Sequence, residues 1–374
     1  MAGIYIHIPF CKRKCHYCNF FSLASSKNRP EFLEALLKEI ALRKQYLKEE
    51  DIDTIYFGGG TPSLLSTDEL QRILDSLGSL FSIKHDAEIT LEANPDDLSK
   101  RYLEQLNSTA INRLSIGIQS FNDKELQYVN RVHTAAEAIS CVKAAQDAGF
   151  HHLSLDLIYG IPNSSLITWE NNLKIIESLK PSHLSAYSLT QEPNTAYDVL
   201  VKKGKLEAPL DTKAITQYNI LQQMLPQLHM EQYEISNYAI PHKYAVHNTN
   251  YWRGVSYLGL GPSAHSYNGI SRQWNISNIT KYIASIDKRE IPAEQESLSK
   301  QDQWNEFVMT GIRTKWGINT QELENRFPKE WIENFIETAD QWILKKQIDK
   351  MENTYTLSNT GKLFADGIAS SFFV

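Results

Sequence analysis

The feature that most restricts the fold is an alternation of β-rich segments with helical patterns over the first 190 residues. Segments 4–8, 54–57, 88–91, 113–118, 153–158 and 184–188 are short and β-rich. Between them lie helix-forming stretches. Phe32, Leu33, Leu36, Leu37 and Ile40 recur at the spacing of one helical face, entered through Pro30. Ser66-Thr-Asp-Glu69 and Thr134-Ala-Ala-Glu137 have the form of capping boxes, and each predicts a helix start. Gly149 predicts the end of the second of these helices. Alternation of this kind implies parallel βα units, because parallel neighbours need a crossover between them. Six units predict an α/β fold, a partial (β/α)6 TIM-like barrel, with an open doubly wound sheet as the alternative. In a barrel the functional residues lie just after the strands, at their C-terminal ends.

The unusual residues fall at those positions. Cys11-Lys-Arg-Lys-Cys15-His-Tyr-Cys18 follows the first segment. Gly58-Gly-Gly60-Thr-Pro62 follows the second, and Glu92-Ala-Asn-Pro95 ends the third. Gln119-Ser-Phe121 ends the fourth, and Asp156-Leu-Ile-Tyr-Gly160 ends the fifth. A Cys-x3-Cys-x2-Cys run can hold three irons of a [4Fe–4S] cube and leave the fourth open to a small molecule. Zinc is the alternative, with His7 or His16 as fourth ligand, although His16 is cramped between two of the cysteines. A disulfide framework fits poorly, since the whole chain has four cysteines. Cys141 lies in an apolar helical stretch and reads as a packed core residue.

The glycine run lacks the Lys-Ser/Thr of a phosphate loop and the wider spacing of a dinucleotide fingerprint. It reads as a tight βα turn, or as backbone that comes close to a ligand and accepts bonds from an ammonium group. Glu92 and Asp156 are either solvated or capping carboxylates, or acceptors for a ligand's hydroxyl or amine hydrogens. Gln119 can do similar work through its amide. Arg131 can pair a ligand carboxylate bidentately, or a surface acid.

A formal charge of −6 over 374 residues argues against a nucleic-acid partner. No apolar run approaches the ~18–20 residues of a membrane span, and the N-terminus has strand alternation rather than a signal peptide. A cytoplasmic setting is expected, and peripheral membrane attachment is compatible with it. Residues 233–282 hold nine aromatic side chains, with His242, His247 and His265 among them. Pro181, Pro193 and Pro209 predict a loop leading to a last barrel-type helix. From about residue 297 the pattern turns helical, passes through a turn-rich stretch at 352–361 and ends in a helix, which suggests a small, mainly helical, winged-helix-like domain. Nine basic against twelve acidic residues over 296–374 argue against a DNA-reading wing. The expected division is 1–230 for the barrel, 231–296 for an aromatic, histidine-rich connecting segment and 297–374 for the C-terminal domain.

Taken together, the cysteine run, Gly58-Gly-Gly60-Thr-Pro62, Glu92-Ala-Asn-Pro95, Ile116-Gly-Ile-Gln-Ser-Phe121, Val129-Asn-Arg131 and Asp156-Leu-Ile-Tyr-Gly-Ile-Pro162 resemble the radical S-adenosylmethionine (SAM) superfamily. The similarity spans most of residues 4–270 and points to the branch that contains oxygen-independent coproporphyrinogen III dehydrogenase and related heme chaperones. The resemblance implies that Cys11, Cys15 and Cys18 hold a [4Fe–4S] cluster whose open iron binds SAM, and that one electron splits SAM into methionine and a 5′-deoxyadenosyl radical. It implies that Tyr5 and Tyr17 flank SAM, that Gly59, Gly60 and Thr61 contact its methionine end, and that Glu92, Gln119, Arg131 and Asp156 complete the pocket. Two departures separate the branch members. The dehydrogenase has a further cysteine where this chain has Phe20, and an N-terminal extension where this chain has ten residues. Both favour the chaperones over porphyrinogen decarboxylation. His247-Asn-Thr-Asn-Tyr-Trp252 resembles the His-Asn-x-x-Tyr-Trp motif that the chaperones associate with heme. An imidazole can ligate heme iron and aromatics can cover the macrocycle; the alternative is a structural histidine among packed rings. His265 is a second candidate. The resemblance implies heme and heme-recipient proteins as partners, with membrane-bound respiratory components as candidate recipients, and it allows a homodimer.

Overall fold

The computed structural model describes residues 1–48 and 51–374. Six parallel strands run in spatial order β1 (Ala2–Ile8), β2 (Ile52–Gly59), β3 (Ile83–Ala93), β4 (Arg113–Gln119), β5 (His152–Tyr159) and β6 (His183–Ser188). The crossovers carry α1 (Arg29–Leu42), α2 (Thr67–Gly78), α3 (Lys100–Leu106), α4 (Asp123–Tyr128), α5 (Ala135–Asp147) and α6 (Leu166–Leu179). Both capping boxes form, Ser66 with Glu69 at α2 and Thr134 with Glu137 at α5. Strand residues divide by parity. On β1, Ile4, Ile6 and Ile8 join the apolar core, while Tyr5 and His7 line an interior cavity. Tyr56, Glu92, Ser115, Asp156 and Ser185, one from each following strand, line the same cavity. Their convergence requires a curved sheet, and the expected partial barrel is present.

Past β6 the chain forms α7 (Ala196–Lys202) and α8 (Asp211–Leu228). The proline-marked stretch is therefore not all loop: α7 stands between Pro193 and Pro209, with Thr195 capping it through the Asp198 amide. Two short strands, β7 (Glu231–Gln232) and β8 (Asn237–Ala239), close the β6 edge in antiparallel fashion. After α9 (Val246–Trp252) the chain returns to the opposite edge. There β9 (Tyr257–Leu260) runs parallel to β1, followed outward by β10 (His265–Tyr267) and β11 (Ser271–Asn275). Then come α10 (Ile279–Asp287) and the edge strand β12 (Ala293–Ser297).

The remaining residues form α11 (Lys300–Gly311), β13 (Ile318–Asn319), α12 (Thr320–Arg326), α13 (Lys329–Leu344), β14 (Ile348–Met351), β15 (Thr354–Leu357) and α14 (Ala365–Ser370). The antiparallel order β13-β15-β14, with α11 ahead of β13 and α12 and α13 between β13 and β14, has the arrangement of a winged helix. This region has its own core around Trp304, Phe335, Tyr355 and Phe372. Cys141 is buried on α5 within the barrel core.

Candidate cofactor site and its cavity

Cys11, Cys15 and Cys18 sit half-buried as free thiols on the loop after β1. That loop is pinned from several directions. The Cys11 amide donates to Leu23 O at 2.9 Å, and the His16 imidazole Nδ1 lies 3.1 Å from Tyr128 O. The Asn130 amide group donates to Lys14 O at 2.9 Å. Two thiols already receive polar contacts: Thr61 Oγ1 donates to Cys11 Sγ and Arg131 Nη1 to Cys15 Sγ, both at 3.4 Å. Burial pushes the Cys11 and Cys18 thiols up, so metal charge is what would hold them as thiolates. His7 and His16, the candidate fourth zinc ligands, are engaged elsewhere; His7 contacts Tyr5 OH and Phe21 O. Among the described residues no three His, Cys, Asp or Glu side chains converge on a single ion. Three free, half-buried thiols on one loop are the donor set that an iron–sulfur cluster takes, one iron to each sulfur.

Asn94 ties this ring together. Its Nδ2 donates to Thr61 Oγ1 at 3.2 Å, and its Oδ1 accepts from Arg131 Nη2 at 2.5 Å. Arg131 Nη2 also donates to Gly117 O at 2.6 Å. Asn94 lies inside a motif legible in the sequence, but only the fold shows that it bridges Thr61 and Arg131. Gln119 ends β4 with φ 66°, a strained value for a non-glycine residue that concentrates at functional sites. Glycine is required in the run after β2. Gly59 has φ +106°, and a Cβ there would sit 2.5 Å from the His7 ring; at Gly60 it would sit 2.7 Å from Phe10 O. Tyr17 packs into a satellite cluster with Val129, Ile158 and Leu189.

A second group faces the barrel interior. Glu92 accepts from Tyr56 OH at 2.7 Å and from the Gly59 amide at 3.2 Å. Burial raises its carboxyl to about 7, with Asp156 adding repulsion. Asp156 is raised to about 6 by burial, against hydrogen bonds from Ser185 and Ser115. It lies within β5 rather than after it, two residues beyond Ser154, which stands level with Glu92 through Ser115. Tyr56 carries no sequence motif; its parity with Thr54 and Gly58 on β2 is the signal that marks it as inward-facing.

Tyr5, Glu92 and Asp156 line a cavity of ≈ 1110 Å³ that runs past Phe20 to α11 and α12. Helix α9 lies against its floor, at the N-terminal ends of the strands. His247 is 3% exposed. Its Nδ1 lies 2.7 Å from Thr54 Oγ1 and its Nε2 2.9 Å from Tyr251 OH, so both ring nitrogens are engaged. Its ring stacks on Tyr56 at 5.0 Å, and burial lowers its pKa to about 3. Asn248 donates to Tyr233 OH, which contacts His183 Nε2. Trp252 lines the cavity with its Nε1 unpartnered among the described residues. His265 also lines the cavity, near His7 at the C-terminal end of β1.

A profile of the radical SAM superfamily matches residues 5–176, and one of the HemN C-terminal domain matches residues 298–340. The chain is 32% identical to the heme chaperone HemW of Bacillus subtilis (strain 168), over 100% of this chain and 99% of that one. It is 30% identical to HemW of Mycobacterium tuberculosis (strain ATCC 25618 / H37Rv), over 98% and 93%. With HemW of Escherichia coli (strain K12) the identity is 37%, over 70% and 69%. Coproporphyrinogen III oxidase (HemN) of Escherichia coli, a radical SAM enzyme, superposes with a TM-score of 0.87 at 22% identity, covering 100% of this chain and 90% of that one. That likeness speaks to the fold. The chain-long identities to HemW proteins, on a barrel with three free thiols at its first strand end, place this chain in the HemW family of the radical SAM superfamily, whose membership implies a [4Fe–4S] cluster and SAM.

Proposed function

We propose that the protein is a heme chaperone that binds heme and passes it to recipient proteins while carrying a [4Fe–4S] cluster and SAM. The observation that carries this reading is the cavity. Its volume of ≈ 1110 Å³ exceeds the roughly 300–1,000 Å³ of ordinary small-molecule pockets, so there is room for more than one ligand. Its lining joins the polar Glu92, Asp156, Ser115 and Ser185 to aromatic side chains that include Tyr251, Trp252, Tyr267 and Phe307. In this reading Cys11, Cys15 and Cys18 hold the cluster, which when bound supplies an electron to SAM. Glu92 and Asp156 accept from SAM's ammonium and ribose, and Gly59, Gly60 and Thr61 bring backbone and hydroxyl to its methionine end. Tyr5 and Tyr17 flank it, and Gln119 and Arg131 close the pocket. Phe20 is 63% exposed at the cavity wall, where it offers an apolar ring rather than a thiol.

Recipients, membrane-bound respiratory components among them, would meet the open mouth between barrel and C-terminal domain. Among the described residues no helix is long and apolar enough to cross a membrane, so contact with such a recipient would be peripheral. The test is one cluster-loaded, anaerobic sample divided in two. Titration with heme should give a saturable Soret band. Incubation with coproporphyrinogen III, SAM and a reductant should leave the porphyrinogen unchanged. Conversion to protoporphyrinogen would sink the chaperone reading in favour of the decarboxylase.

A further inference from the structure

An axial ligand to heme iron needs an imidazole nitrogen with a free lone pair, facing space for a macrocycle. His247 does not present one: Thr54 and Tyr251 take both nitrogens, and the ring is sandwiched at the floor. To bind iron it would have to leave one hydroxyl partner unsatisfied in a buried place, which is costly. His265 lines the same cavity but differs in both respects that matter: it is exposed, and among the described residues its ring makes no hydrogen bond.

The turn that carries His265 is built to hold it. Glu39, fully buried, accepts from the Gly261 amide at 2.7 Å, from Asn275 Nδ2 at 2.7 Å and from Tyr282 OH at 2.6 Å. Asn275 Nδ2 also donates to Gly261 O at 2.8 Å. A Cβ at Gly259 would sit 1.9 Å from His265 O, so β9 and β10 are pressed together with no room for adjustment. The imidazole is thus delivered from a rigid element, as a preorganised ligand requires.

Its surroundings suit a porphyrin. His265 is paired across the hairpin with Trp274, and Tyr267 with Arg272, so the four side chains share one sheet face. The His265 and Trp274 rings lie 6.3 Å apart and 30° from parallel. Across the mouth stand Phe20, from the cysteine loop, and Phe307, from α11. Arg272 and Arg326 line the same mouth; Arg272 pairs with the half-buried Glu306, and Arg326 pairs with the exposed Glu322 while its guanidinium lies 4.6 Å over the Phe307 ring.

The geometry points to His265 as the axial ligand of the heme iron, with the macrocycle between the cysteine loop and α11, Phe20, Tyr267 and Phe307 against its faces, and Arg272 and Arg326 for its carboxylates. This rests on the chaperone reading. His247 then acts as the floor anchor of the cavity rather than as an iron ligand.

Hemin titrations of the full-length, cluster-loaded protein test this by Soret position, spin state and affinity. His265→Ala should lose the wild-type Soret band and weaken affinity at least about tenfold, with cluster absorbance unchanged. Added imidazole should restore the wild-type spectrum. His265→Tyr should bind heme with a ferric phenolate spectrum. His247→Gln, in its folded fraction, should keep the wild-type Soret band. If wild type binds heme and both His265 variants retain its spectrum and affinity, the ligand assignment is overturned while the chaperone reading stands. Loss of the axial band in a folded His247→Gln variant overturns it equally. Absence of saturable binding to wild type overturns both.

Discussion

Arg131 links two parts of the site that the sequence holds far apart. Its half-buried guanidinium reaches Cys15 Sγ with one nitrogen and Asn94 and Gly117 with the other. A cationic donor on a ligating sulfur stabilises the more negative, reduced state of a cluster. Arg131→Gln should therefore lower the cluster's reduction potential, by on the order of 60 mV, the one-electron equivalent of a tenfold change. Potentiometric titration followed by electron paramagnetic resonance checks this; an unchanged potential would show that the contact does not survive cluster binding. The three cysteines were legible from spacing alone, because ligand spacing within one loop is a local property. The Arg131 contact was not, because it spans 116 positions and exists only once β4 and α4 have brought the loops together.

At the scale of elements, α9 shows how a motif acquires its setting. Its first residue is preceded by Ala245, which offers no capping side chain. Glu88, on β3, supplies the cap instead, accepting from the Val246 amide at 3.0 Å and the His247 amide at 2.9 Å. The same carboxylate is 3.4 Å from the buried Arg113 guanidinium. Glu88→Ala should remove the cap and leave Arg113 without its counter-charge, so a loss of at least about 2 kcal/mol is expected in denaturant unfolding. A change within experimental error would mean that α9 is held by its aromatic contacts alone. His247 read from sequence as a heme-associated residue, with structural packing as the alternative. The burial of its ring between Tyr56 and Tyr251 depends on β2 and α9 meeting, and no local pattern encodes that meeting.

At the scale of the molecule, the cavity places two carboxylates in one low-dielectric interior. Both are raised, Glu92 to about 7 and Asp156 to about 6, chiefly by burial. Raised acids are protonated below the unfolded range and lose their favourable state as pH rises. The ligand-free protein should therefore lose stability as pH climbs from about 4 through about 7. A cation bound beside them reverses the shift, so SAM should bind with proton release near pH 6.5, and more tightly as pH rises through that window. Calorimetry in two buffers of different ionisation enthalpy measures the release; equal apparent enthalpies would contradict it. Asp156→Asn should reduce the release. The sequence by itself determined the parallel βα order, both capping boxes, the cysteine loop and the glycine turn, because each depends on residues within a few positions of one another. It also marked Glu92 and Asp156 as candidates by their place at or near strand ends. Only the tertiary structure decided that strands β9–β12 extend the barrel sheet past β1, that α9 seals the floor, and that His265 rather than His247 presents a free imidazole to the cavity. Those outcomes rest on which distant segments pack together and on which polar atoms burial leaves unpaired, and both are properties of the closed fold.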